Sequence, residues 1–436
     1  MQQHAPLEAR SARTAGPDVV IIGGGPGGSV CAAQLARSGL SVILLEKDVF
    51  PRFHLGESLL PESLRELETI GVLDRVREAF LPKYGARFHD DIHHRKERFS
   101  FATAWKAEPI HAYQVPRDTF DAILLDHART CGVDVRESTT VSRILTDDTG
   151  RARGVLATAA DGSAMQVDAR FVVDASGRDT LRARADVSTT KIDGLDQTAL
   201  YAQFENVPRQ GELFEGDIDI VLFSSIDPGR PNWFWFIPFK DGRTSVGAVV
   251  SRAWIRERRA TLGADPTRLF EAAVAESATA TNLLANARRL WPEARATADF
   301  SYRVTAITGS GWLAVGDAGG FIDPLFSTGA HLAMAGGRRA ADAIVLALAS
   351  PAQEAALFAA WEANLRGAAE TFILAVRSFY AGPLVDLIFT EDKHQVLRRS
   401  ITSLLAGDVF GDAIWLRDTR RRLRELLASS ALPATA

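Results

Sequence analysis

Three glycines near the amino terminus have the spacing that holds a dinucleotide. Gly23, Gly25 and Gly28 follow an apolar run, Val19–Ile22, which predicts a buried parallel strand. Such glycines allow a tight turn, a close approach of the pyrophosphate to the backbone, and close packing of the following helix. Glu46 ends a second apolar run about twenty residues later, where an acid that binds a ribose is expected. We therefore predict that a dinucleotide binds at this turn.

Two later loops have residues that could contact the same cofactor. The stretch Asp-Ala-Ser-Gly-Arg at 174–178 follows a predicted strand, and a second buried strand ends at Gly316 and Asp317. The Asp317 carboxylate could accept hydrogen bonds from ribitol hydroxyls, although each loop could by itself be an ordinary turn. Only one Gly-x-Gly-x-x-Gly pattern occurs, so a second domain for NAD(P)H is not expected and FAD is favoured.

The composition argues against several classes of protein. The chain has 436 residues, 46% of them hydrophobic, which is enough for a large core and more than one lobe. A net charge of −4 gives no basic field for nucleic acid or an anionic membrane. Its two cysteines form neither a disulfide framework nor a metal cluster, and no metal is expected. Residues 1–17 lack the apolar core of a signal peptide and no apolar run could span a bilayer, so we expect a cytoplasmic protein.

Hydrophobic periodicity predicts the elements that position these residues. A helix follows the glycine turn and ends at Gly39, and another runs from Pro61 to Gly71. The other predicted elements are strands at 83–88, 99–103, 141–145, 154–158 and 166–173, a helix after Pro116, a strand-rich region over 199–250, two helical stretches to about residue 289, and a long helix over 330–349.

This order predicts a discontinuous dinucleotide-binding domain with an inserted sheet domain. The first comprises residues 18–80, 112–190 and 297–350; the second, which would bind the substrate, comprises residues 81–111 and 191–296. Residues 1–17 would be a flexible tail, and residues 351–436 a helical region. A ligand that lies between two lobes suits this layout.

The cofactor residues together resemble a known FAD fold. Residues 23–28, Glu46, Arg117, the 174–178 stretch and Gly316-Asp317 resemble the glutathione-reductase-type domain of single-component flavin monooxygenases. The resemblance implies an α/β fold, in which a Rossmann-like FAD-binding domain carries an inserted mixed or antiparallel β-sheet domain and a C-terminal helical segment. It also implies that Arg117 binds the cofactor.

Three further motifs resemble FAD-dependent halogenases, a branch of this superfamily. They are Phe50-Pro-Arg-Phe-His54 leading to Gly56-Glu-Ser-Leu-Leu-Pro61, then Trp233-Phe-Trp-Phe-Ile-Pro238, and then Asp323-Pro-Leu-Phe-Ser-Thr-Gly-Ala-His-Leu332. The second matches the family's Trp-x-Trp-x-Ile-Pro signature and is the most specific. The resemblance implies an enzyme that uses reduced FAD, dioxygen and chloride or bromide to make hypohalous acid and halogenate an electron-rich aromatic ring. A separate flavin reductase would supply the reduced FAD.

The resemblance also assigns two roles close to the reaction. The backbone amides of Thr328 and Gly329 would bind the halide, at a helix N-terminus, where anions are favoured. Lys83 would be the catalytic residue that passes halogen to the ring, and burial would lower its pKa so that a neutral amine could take up halogen. A lysine in a strand is otherwise most often a solvated surface residue.

A further group would separate the flavin from the substrate. Its members would be Glu57, Ser58, Trp233, Trp235, Ile237 and Pro238. Bulky rings would block direct oxygen transfer while a small oxidant passes. Trp233, Trp235 and Pro238 could also form one packed face of a strand, which is compatible with this role, whereas Glu57 and Ser58 could instead be solvated loop residues. His54 and His331 are expected to be structural.

One departure from the resemblance bears on the substrate. Tryptophan halogenases have a glutamate immediately before the Ser-Thr-Gly turn, and this chain has Phe326 there. The chain is also shorter than those enzymes. Both points favour the branch that acts on phenols or pyrroles, many of which are tethered to an acyl or peptidyl carrier protein; that step is analogy with the family alone.

Two other functions fit part of the pattern. A flavin hydroxylase or an isoprenoid-type reductase would share the glycine turn, Arg117 and Gly316-Asp317, but would not ordinarily carry the tryptophan motif with the matching lysine. A flavin-binding scaffold or sensor without turnover would have no need of Lys83, Thr328 and Gly329.

Overall fold

A six-stranded sheet lies beneath the glycine turn in the structure, a computed structural model that describes residues 16–181, 189–209, 215–224, 230–298, 300–391 and 394–430. From edge to edge its strands are β20 (Thr308–Gly309), β21 (Trp312–Ala314), β11 (Phe171–Asp174), β1 (Val19–Ile22), β2 (Val42–Leu45) and β7 (Asp134–Arg136). All neighbours are parallel except β20 and β21.

Four of these strands end at the same edge of the sheet. The register pairs Ile22 with both Leu45 and Asp174, and Asp174 with Ala314. Because the carboxyl ends of parallel strands lie together, the turns after β1, β2, β11 and β21 meet there. The sheet thus brings the glycine turn, Glu46 and the two later loops to one place.

Helices pack against this sheet and against each other. They are α1 (Pro26–Arg37), α2 (Pro61–Ile70), α3 (Leu73–Ala79), α4 (Arg117–Thr130) and α8 (Thr328–Ala349). Helices α1 and α8 approach most closely at Gly27 and Gly337, where a Cβ on Gly337 would lie 2.3 Å from the Gly27 carbonyl oxygen. Glycine at this crossing therefore sets the position of the N-terminus of α8 relative to the glycine turn.

An eight-stranded sheet forms the second large layer. Its strands are β17 (Arg288–Arg289), β13 (Thr198–Glu205), β16 (Thr244–Val250), β15 (Asn232–Pro238), β14 (Ile218–Phe223), β4 (Gly85–Asp90) and β5 (Arg95–Ser100), and β18 (Arg295–Ala298) also pairs with β13. Side chains of β15 alternate between two apolar clusters, with Trp233, Trp235 and Ile237 on one face and Phe234 and Phe236 on the other. Three helices contribute to the second cluster: α5 (Arg252–Leu262), α6 (Pro266–Ala275) and α7 (Ala278–Leu284).

Three small sheets complete the strand pairing. They are β10 (Ala164–Asp168) with β9 (Ala152–Thr158) and β8 (Thr140–Thr146), β12 (Thr189–Lys191) with β19 (Tyr302–Val304) and β22 (Gly320–Phe321), and β3 (Leu81–Lys83) with β6 (Ala112–Gln114). The last pair places Lys83 opposite Ala112.

Four helices follow α8 and cover the tryptophan face of the large sheet. They are α9 (Glu354–Tyr380), α10 (Pro383–Phe389), α11 (Gln395–Leu405) and α12 (Ile414–Ser430). Within the described ranges no single helix is long and apolar enough to cross a membrane. Only the stretch 351–380 taken together with α10 passes that test of length and composition, across an 84° bend.

The predicted α/β fold is confirmed, and four predicted elements are wrong in detail. The strand predicted at 83–88 is two strands, since β3 ends at Lys83 and pairs with β6, whereas β4 begins at Gly85 and pairs with β14 and β5. The strand predicted at 99–103 ends at Ser100, because Phe101–Thr103 form a 3-10 turn in which the Thr103 hydroxyl donates to the Ser100 carbonyl. The strand predicted at 166–173 is two strands, since β10 pairs with β9 and β11 pairs with β1. Three helices replace the two predicted before residue 289, because Asp265 and Ser277 each cap a new helix.

Candidate functional site

A cavity of ≈ 290 Å³ lies where the carboxyl ends of the parallel strands meet. Its walls include Gly23, Gly25, Glu46 and Asp317. A Cβ on Gly25 would meet only the Arg52 side chain, at 3.7 Å, so the bare Cα leaves space for a phosphate against the backbone. A turn that leads into a helix also supplies free amides to an anion.

The other two glycines of the motif are required by backbone contacts. Gly23 has φ 98°, a left-handed conformation, and a Cβ there would lie 2.3 Å from the Ala175 carbonyl oxygen. A Cβ on Gly28 would lie 2.0 Å from the Gly23 carbonyl oxygen. Gly28 therefore allows α1 to pack against the turn.

Glu46 both faces this cavity and fixes the glycine turn. Its Oε2 accepts a hydrogen bond from the Gly24 amide at 2.6 Å, and its Oε1 accepts one from the Asp48 amide at 2.8 Å. The side chain is buried. A carboxylate in this position can still accept from a ribose hydroxyl, because each oxygen has a second lone pair.

A second cavity, of ≈ 330 Å³, continues from the first. We call it the inner cavity. Pro26, His54, Arg178, Asp317 and Ala333 line both, so the two form one bent cleft. At their junction, burial raises the pKa of Asp317 to about 6, against the opposing charges of Arg117 and Arg178.

The inner cavity collects most of the predicted site residues. Those that line it are Glu57, Ser58, Arg117, Trp233, Trp235, Ile237, Asp317, Thr328 and Gly329. Pro238 lies at the end of β15, opposite Thr244, and Lys83 lies behind Ser58. Residues far apart in the chain thus share one enclosure.

Arg117 uses its donors within the protein. The guanidinium forms two hydrogen bonds to the Asp121 carboxylate, at 2.7 and 2.9 Å, and a third to the Leu55 carbonyl oxygen at 2.9 Å. Asp121 is one helical turn along α4. These contacts hold the loop that carries Glu57 and Ser58, so positioning this loop is the role that the contacts show.

Lys83 is buried and hydrogen-bonded to the same loop. Its Nζ donates to the Ser58 hydroxyl at 2.8 Å and to the Leu59 carbonyl oxygen at 3.1 Å, and lies 5.3 Å from the centre of the Phe101 ring. Burial lowers the pKa of this lysine to about 7, against the opposing charge of Asp217. The ammonium and the neutral amine are therefore both populated near neutral pH.

Glu57, on the loop that Lys83 contacts, is a second buried ionisable group. Gln203 donates a hydrogen bond to its Oε1 at 3.3 Å. Burial raises the pKa of the Glu57 carboxyl to about 7, while hydrogen bonds from Ser245 and Gln203 oppose the shift.

The tryptophans form a wall of the inner cavity. Trp233 and Trp235 have their ring centres 6.1 Å apart, and Tyr201 lies 6.3 Å from Trp235. The Trp235 indole donates to the Ser245 hydroxyl at 3.2 Å. A Cβ on Gly247, its partner across the strands, would lie 2.1 Å from the Trp235 ring, so glycine is required there.

A buried chain of hydrogen bonds joins this wall to the turn before α8. The Trp233 indole donates to the Tyr380 hydroxyl at 2.9 Å, and that hydroxyl donates to Asp323 Oδ2 at 3.1 Å. The Leu325 amide donates to Asp323 Oδ1 at 2.9 Å. Burial raises the pKa of the Asp323 carboxyl to about 7. We call Trp233, Tyr380 and Asp323 the bridging triad.

The N-terminus of α8 borders the inner cavity. Thr328 is its first residue, after Ser327, whose φ of 54° and ψ of 34° place it in the left-handed region. No side chain caps this end within the part of the chain that the structure describes. A Cβ on Gly329 would lie 3.0 Å from the Phe321 ring, so the glycine allows that ring to approach the helix end. The first amides of a 22-residue helix are suited to an anion.

Sequence reasoning missed two members of the bridging triad. Asp323 stands inside the quoted 323–332 stretch, but nothing in its spacing indicated a partner. Tyr380 ends α9 and is separated from Trp233 by 147 positions, and no sequence signal pointed to it. Among the described residues, no group of His, Cys, Asp or Glu could hold a metal ion.

Comparisons with known proteins agree with this geometry. A family model described as an FAD binding domain matches residues 17–369. The chain is 31% identical over 83% of its length to the flavin-dependent halogenase armH3 of Armillaria mellea, covering 74% of that protein. It is 29% identical over 94% of its length to the 1H-pyrrole-2-carbonyl peptidyl-carrier protein chlorinase of Pseudomonas fluorescens, covering 93% of it.

A solved structure shares the whole architecture. The flavin-dependent brominase Bmp2 superimposes with a TM-score of 0.84 at 28% identity, covering 95% of this chain and 98% of its own.

Proposed function

The chain belongs to the FAD-binding-domain family and, within it, to the flavin-dependent halogenases, and from that premise we propose that it halogenates a pyrrole or phenol ring with Lys83 as the catalytic residue. The observation that carries the proposal is the contact of buried Lys83 with Ser58, a residue that lines the same cavity as Thr328, Gly329 and the tryptophan wall. The lysine is thus one side chain away from that cavity.

The residues present fit FAD. Gly25 offers backbone without a side chain to the phosphates, and Glu46 and Asp317 face the space that ribose and ribitol would fill. The flavin ring would lie in the inner cavity, beside Thr328 and Gly329. Bound reduced FAD would activate dioxygen, which is the oxidant that converts halide to hypohalous acid. We propose that a separate flavin reductase supplies the reduced form, since only one dinucleotide motif is present.

Lys83 can act in either protonation state. As an ammonium it would donate a hydrogen bond to the oxygen of hypohalous acid and polarise the bond to halogen. As an amine it would attack the halogen, forming an N–halogen bond while hydroxide leaves and, with the amine proton, becomes water. The aromatic ring then takes the halogen and loses a proton. A pKa of about 7 makes both routes available.

The wall that includes Trp233 and Trp235 would keep ring and flavin apart. Both side chains are buried, and Trp233 is held by Tyr380. With this wall in place, the substrate ring would not reach the flavin closely enough for direct oxygen transfer. We propose that Ile237, Pro238, Glu57 and Ser58 complete it.

We propose a carrier-tethered pyrrole as the substrate. The chlorinase of Pseudomonas fluorescens and a brominase of Pseudoalteromonas luteoviolacea, 34% identical over 76% of this chain, both carry 1H-pyrrole-2-carbonyl peptidyl-carrier protein in their names. Phe326 is buried in the apolar cluster beneath the turn, so no carboxylate is available at this position. A pyrrole or phenol is already electron-rich and needs no such help.

The test is a reconstituted assay. The protein, FAD, a flavin reductase with NADH, air and bromide are incubated with a pyrrole-2-carbonyl thioester on a peptidyl carrier protein, with free pyrrole-2-carboxylate, or with a free phenol. Mass spectrometry should show halogen in place of hydrogen. A product that gains oxygen would contradict halogenation, and equal turnover of free and tethered pyrrole would contradict the carrier.

The matched variants test Lys83. Lys83→Met should lower product formation by at least about 100-fold, since general acid–base and nucleophilic groups contribute on that scale. The rate of flavin oxidation should not change. The control is Lys96→Met, an exposed lysine on β5. Full halogenation by Lys83→Met would contradict the role of Lys83 and leave halogenation itself intact.

A further inference from the structure

A separate cavity lies on the other side of the turn that carries Thr328 and Gly329. Its volume is ≈ 360 Å³, and we call it the outer cavity. Its walls come from β19, β22, the N-terminus of α8, and α9, and most of them are apolar. Nothing in the proposed reaction has used this space.

The outer and inner cavities share a wall. Asp317, Phe321, Thr328 and Gly329 line both. The Phe321 ring lies 3.0 Å from where a Cβ on Gly329 would be, so this ring stands directly against the helix end. The first residues of α8 are therefore reached from two sides, with Phe321 between them.

The inner side would be closed when the enzyme is ready to react. A flavin ring in the inner cavity would cover the approach along the cleft, and Trp233 and Trp235 are buried behind it. A halide that is consumed in each turnover needs an entrance that neither the cofactor nor the wall blocks. The outer cavity offers an approach to Thr328 and Gly329 that does not pass along this cleft.

Two guanidinium groups line the outer cavity beside the Asp317 and Glu370 carboxylates, and their remaining N–H donors suit an anion. Arg303 Nη2 pairs with Glu370 at 3.0 Å, and Arg366 Nε pairs with Glu362 at 2.7 Å while its Nη2 donates to the Thr305 carbonyl oxygen at 2.7 Å. Among the residues that the structure describes, Arg366 Nη1 and Arg303 Nη1 have no hydrogen-bond partner. Each group therefore keeps a donor for a passing halide.

We propose that halide ions reach the amides of Thr328 and Gly329 through the outer cavity, with Phe321 as the gate. The inference rests on the proposed function, in which those amides bind the halide. Chloride and bromide are small and carry a single charge, so they pass an apolar space more easily than a larger or more strongly hydrated anion does. Arg303 and Arg366 are each paired with a glutamate, so what they offer a halide at the entrance is a remaining N–H donor.

Gly367 on α9 provides a direct test. It lines the outer cavity, and a Cβ there would meet nothing within 4 Å, so a side chain added at this position starts in open space. Gly367→Phe should slow halide entry and exit alike, by about tenfold, as expected when association needs a conformational change. The equilibrium Kd should not change, because the binding amides are untouched.

The measurement uses FAD-loaded protein mixed rapidly with bromide, and follows the flavin absorption spectrum. Gly367→Ala, which adds one methyl group, and Ala359→Phe, on an exposed position of the same helix, are the controls. An unchanged entry rate in Gly367→Phe would overturn the route. A raised Kd would also overturn it, since that result means a disturbed binding site.

Variants that change the charge of the outer cavity test whether it admits halide or dioxygen. Glu370→Gln frees Arg303 and should speed bromide entry by about threefold, and Arg303→Gln should slow it by a similar factor, since local charge acts on ions. Oxidation of reduced FAD by dioxygen should be unaffected in both. A change in that oxidation alone would show a dioxygen route and overturn the proposal.

The failure of the route and the failure of the proposed function give different results. If the wild type neither halogenates its substrate nor responds to bromide, the proposed function is wrong. If the wild type does both and Gly367→Phe takes up bromide at the wild-type rate, only the route is wrong.

Discussion

The two ends of the cleft are built on different physical principles. At the nucleotide end, the ligand would meet backbone: Gly25 offers a bare Cα, and the Glu46 carboxylate is used to hold the Gly24 amide. At the inner end, the ligand would meet buried ionisable side chains, among them Lys83 and Glu57, whose pKa values are both about 7. The first end is sensitive to shape, and the second is sensitive to charge and pH.

This difference indicates which substitutions and which changes of pH each end of the cleft can tolerate. Backbone amides cannot be titrated, so the glycine turn at the nucleotide end should respond less to pH than to a collision of atoms. Burying an ionisable group costs free energy, and in the proposed reaction this cost at the inner end provides a group that changes charge near neutral pH. Variants at the two ends should therefore fail in different ways.

The largest effect is expected from a collision at the nucleotide end. Gly28→Val places a side chain where even a Cβ lies 2.0 Å from the Gly23 carbonyl oxygen, so the turn or α1 must move. We expect a loss of about 3 kcal/mol or more in the free energy of unfolding, and protein purified without FAD. Urea unfolding and the absorbance of bound flavin measure both.

The control for this variant is another glycine. Gly132→Ala also changes a residue of positive φ, 96°, but nothing lies within 4 Å of its Cβ. It should lose only about 1 kcal/mol and retain FAD. If Gly28→Val retains FAD at full stoichiometry, the distinction between the two ends is wrong.

A smaller effect is expected from the bridging triad. Tyr380→Phe removes the hydroxyl between Trp233 and Asp323 and leaves two buried polar groups without that partner, at a cost of about 2 kcal/mol in the free energy of unfolding. The loosened Trp233 ring should let hypohalous acid escape. A soluble halogen acceptor added to the assay should then be halogenated at the expense of the substrate, while flavin oxidation is unchanged.

The ratio of halogenated substrate to halogenated acceptor shows whether the bridging triad positions Trp233 or only stabilises the fold. A structural defect lowers substrate and acceptor halogenation together, whereas a leaking wall moves product from one to the other. The control is Asp323→Asn in the protein that keeps Tyr380; because it retains an acceptor for the Tyr380 hydroxyl, it should show most of the wild-type ratio. An unchanged ratio in Tyr380→Phe would contradict the role of the triad.

These contacts also show how far the sequence could predict the site. The glycine turn and the alternation of Trp233 and Trp235 depend on neighbours in the chain, so spacing alone predicts them. The Arg117–Asp121 pair is one helical turn apart and could have been predicted from the helix. Lys83 with Ser58, and Trp233 with Tyr380, depend on how sheets and helices pack, which no local spacing encodes.

Lys83 should also show how much folding stability is lost by burying an ionisable group at the inner end. Because its folded pKa of about 7 lies below that of a free lysine, the unfolded chain binds more protons between about pH 7 and 10, and stability rises with pH across that window. Lys83→Met removes this penalty, and should raise the free energy of unfolding at pH 7 by about 1–3 kcal/mol while product is lost. Lys96→Met should change neither. A destabilised Lys83→Met would mean that its hydrogen bonds to Ser58 and Leu59 outweigh the cost of burial.

The smallest effect, and the sharpest in pH, is expected from Glu57. Its folded pKa of about 7 lies above that of a free glutamate, so the folded chain binds more protons between about pH 4.5 and 7, and stability falls as pH rises through that window. Glu57→Gln keeps the shape and removes the titration. It should match the wild type at pH 5 and exceed it by about 1 kcal/mol at pH 8. Urea unfolding at the two pH values measures the difference; an equal offset at both would show that the carboxyl is not the group that makes the inner end sensitive to pH.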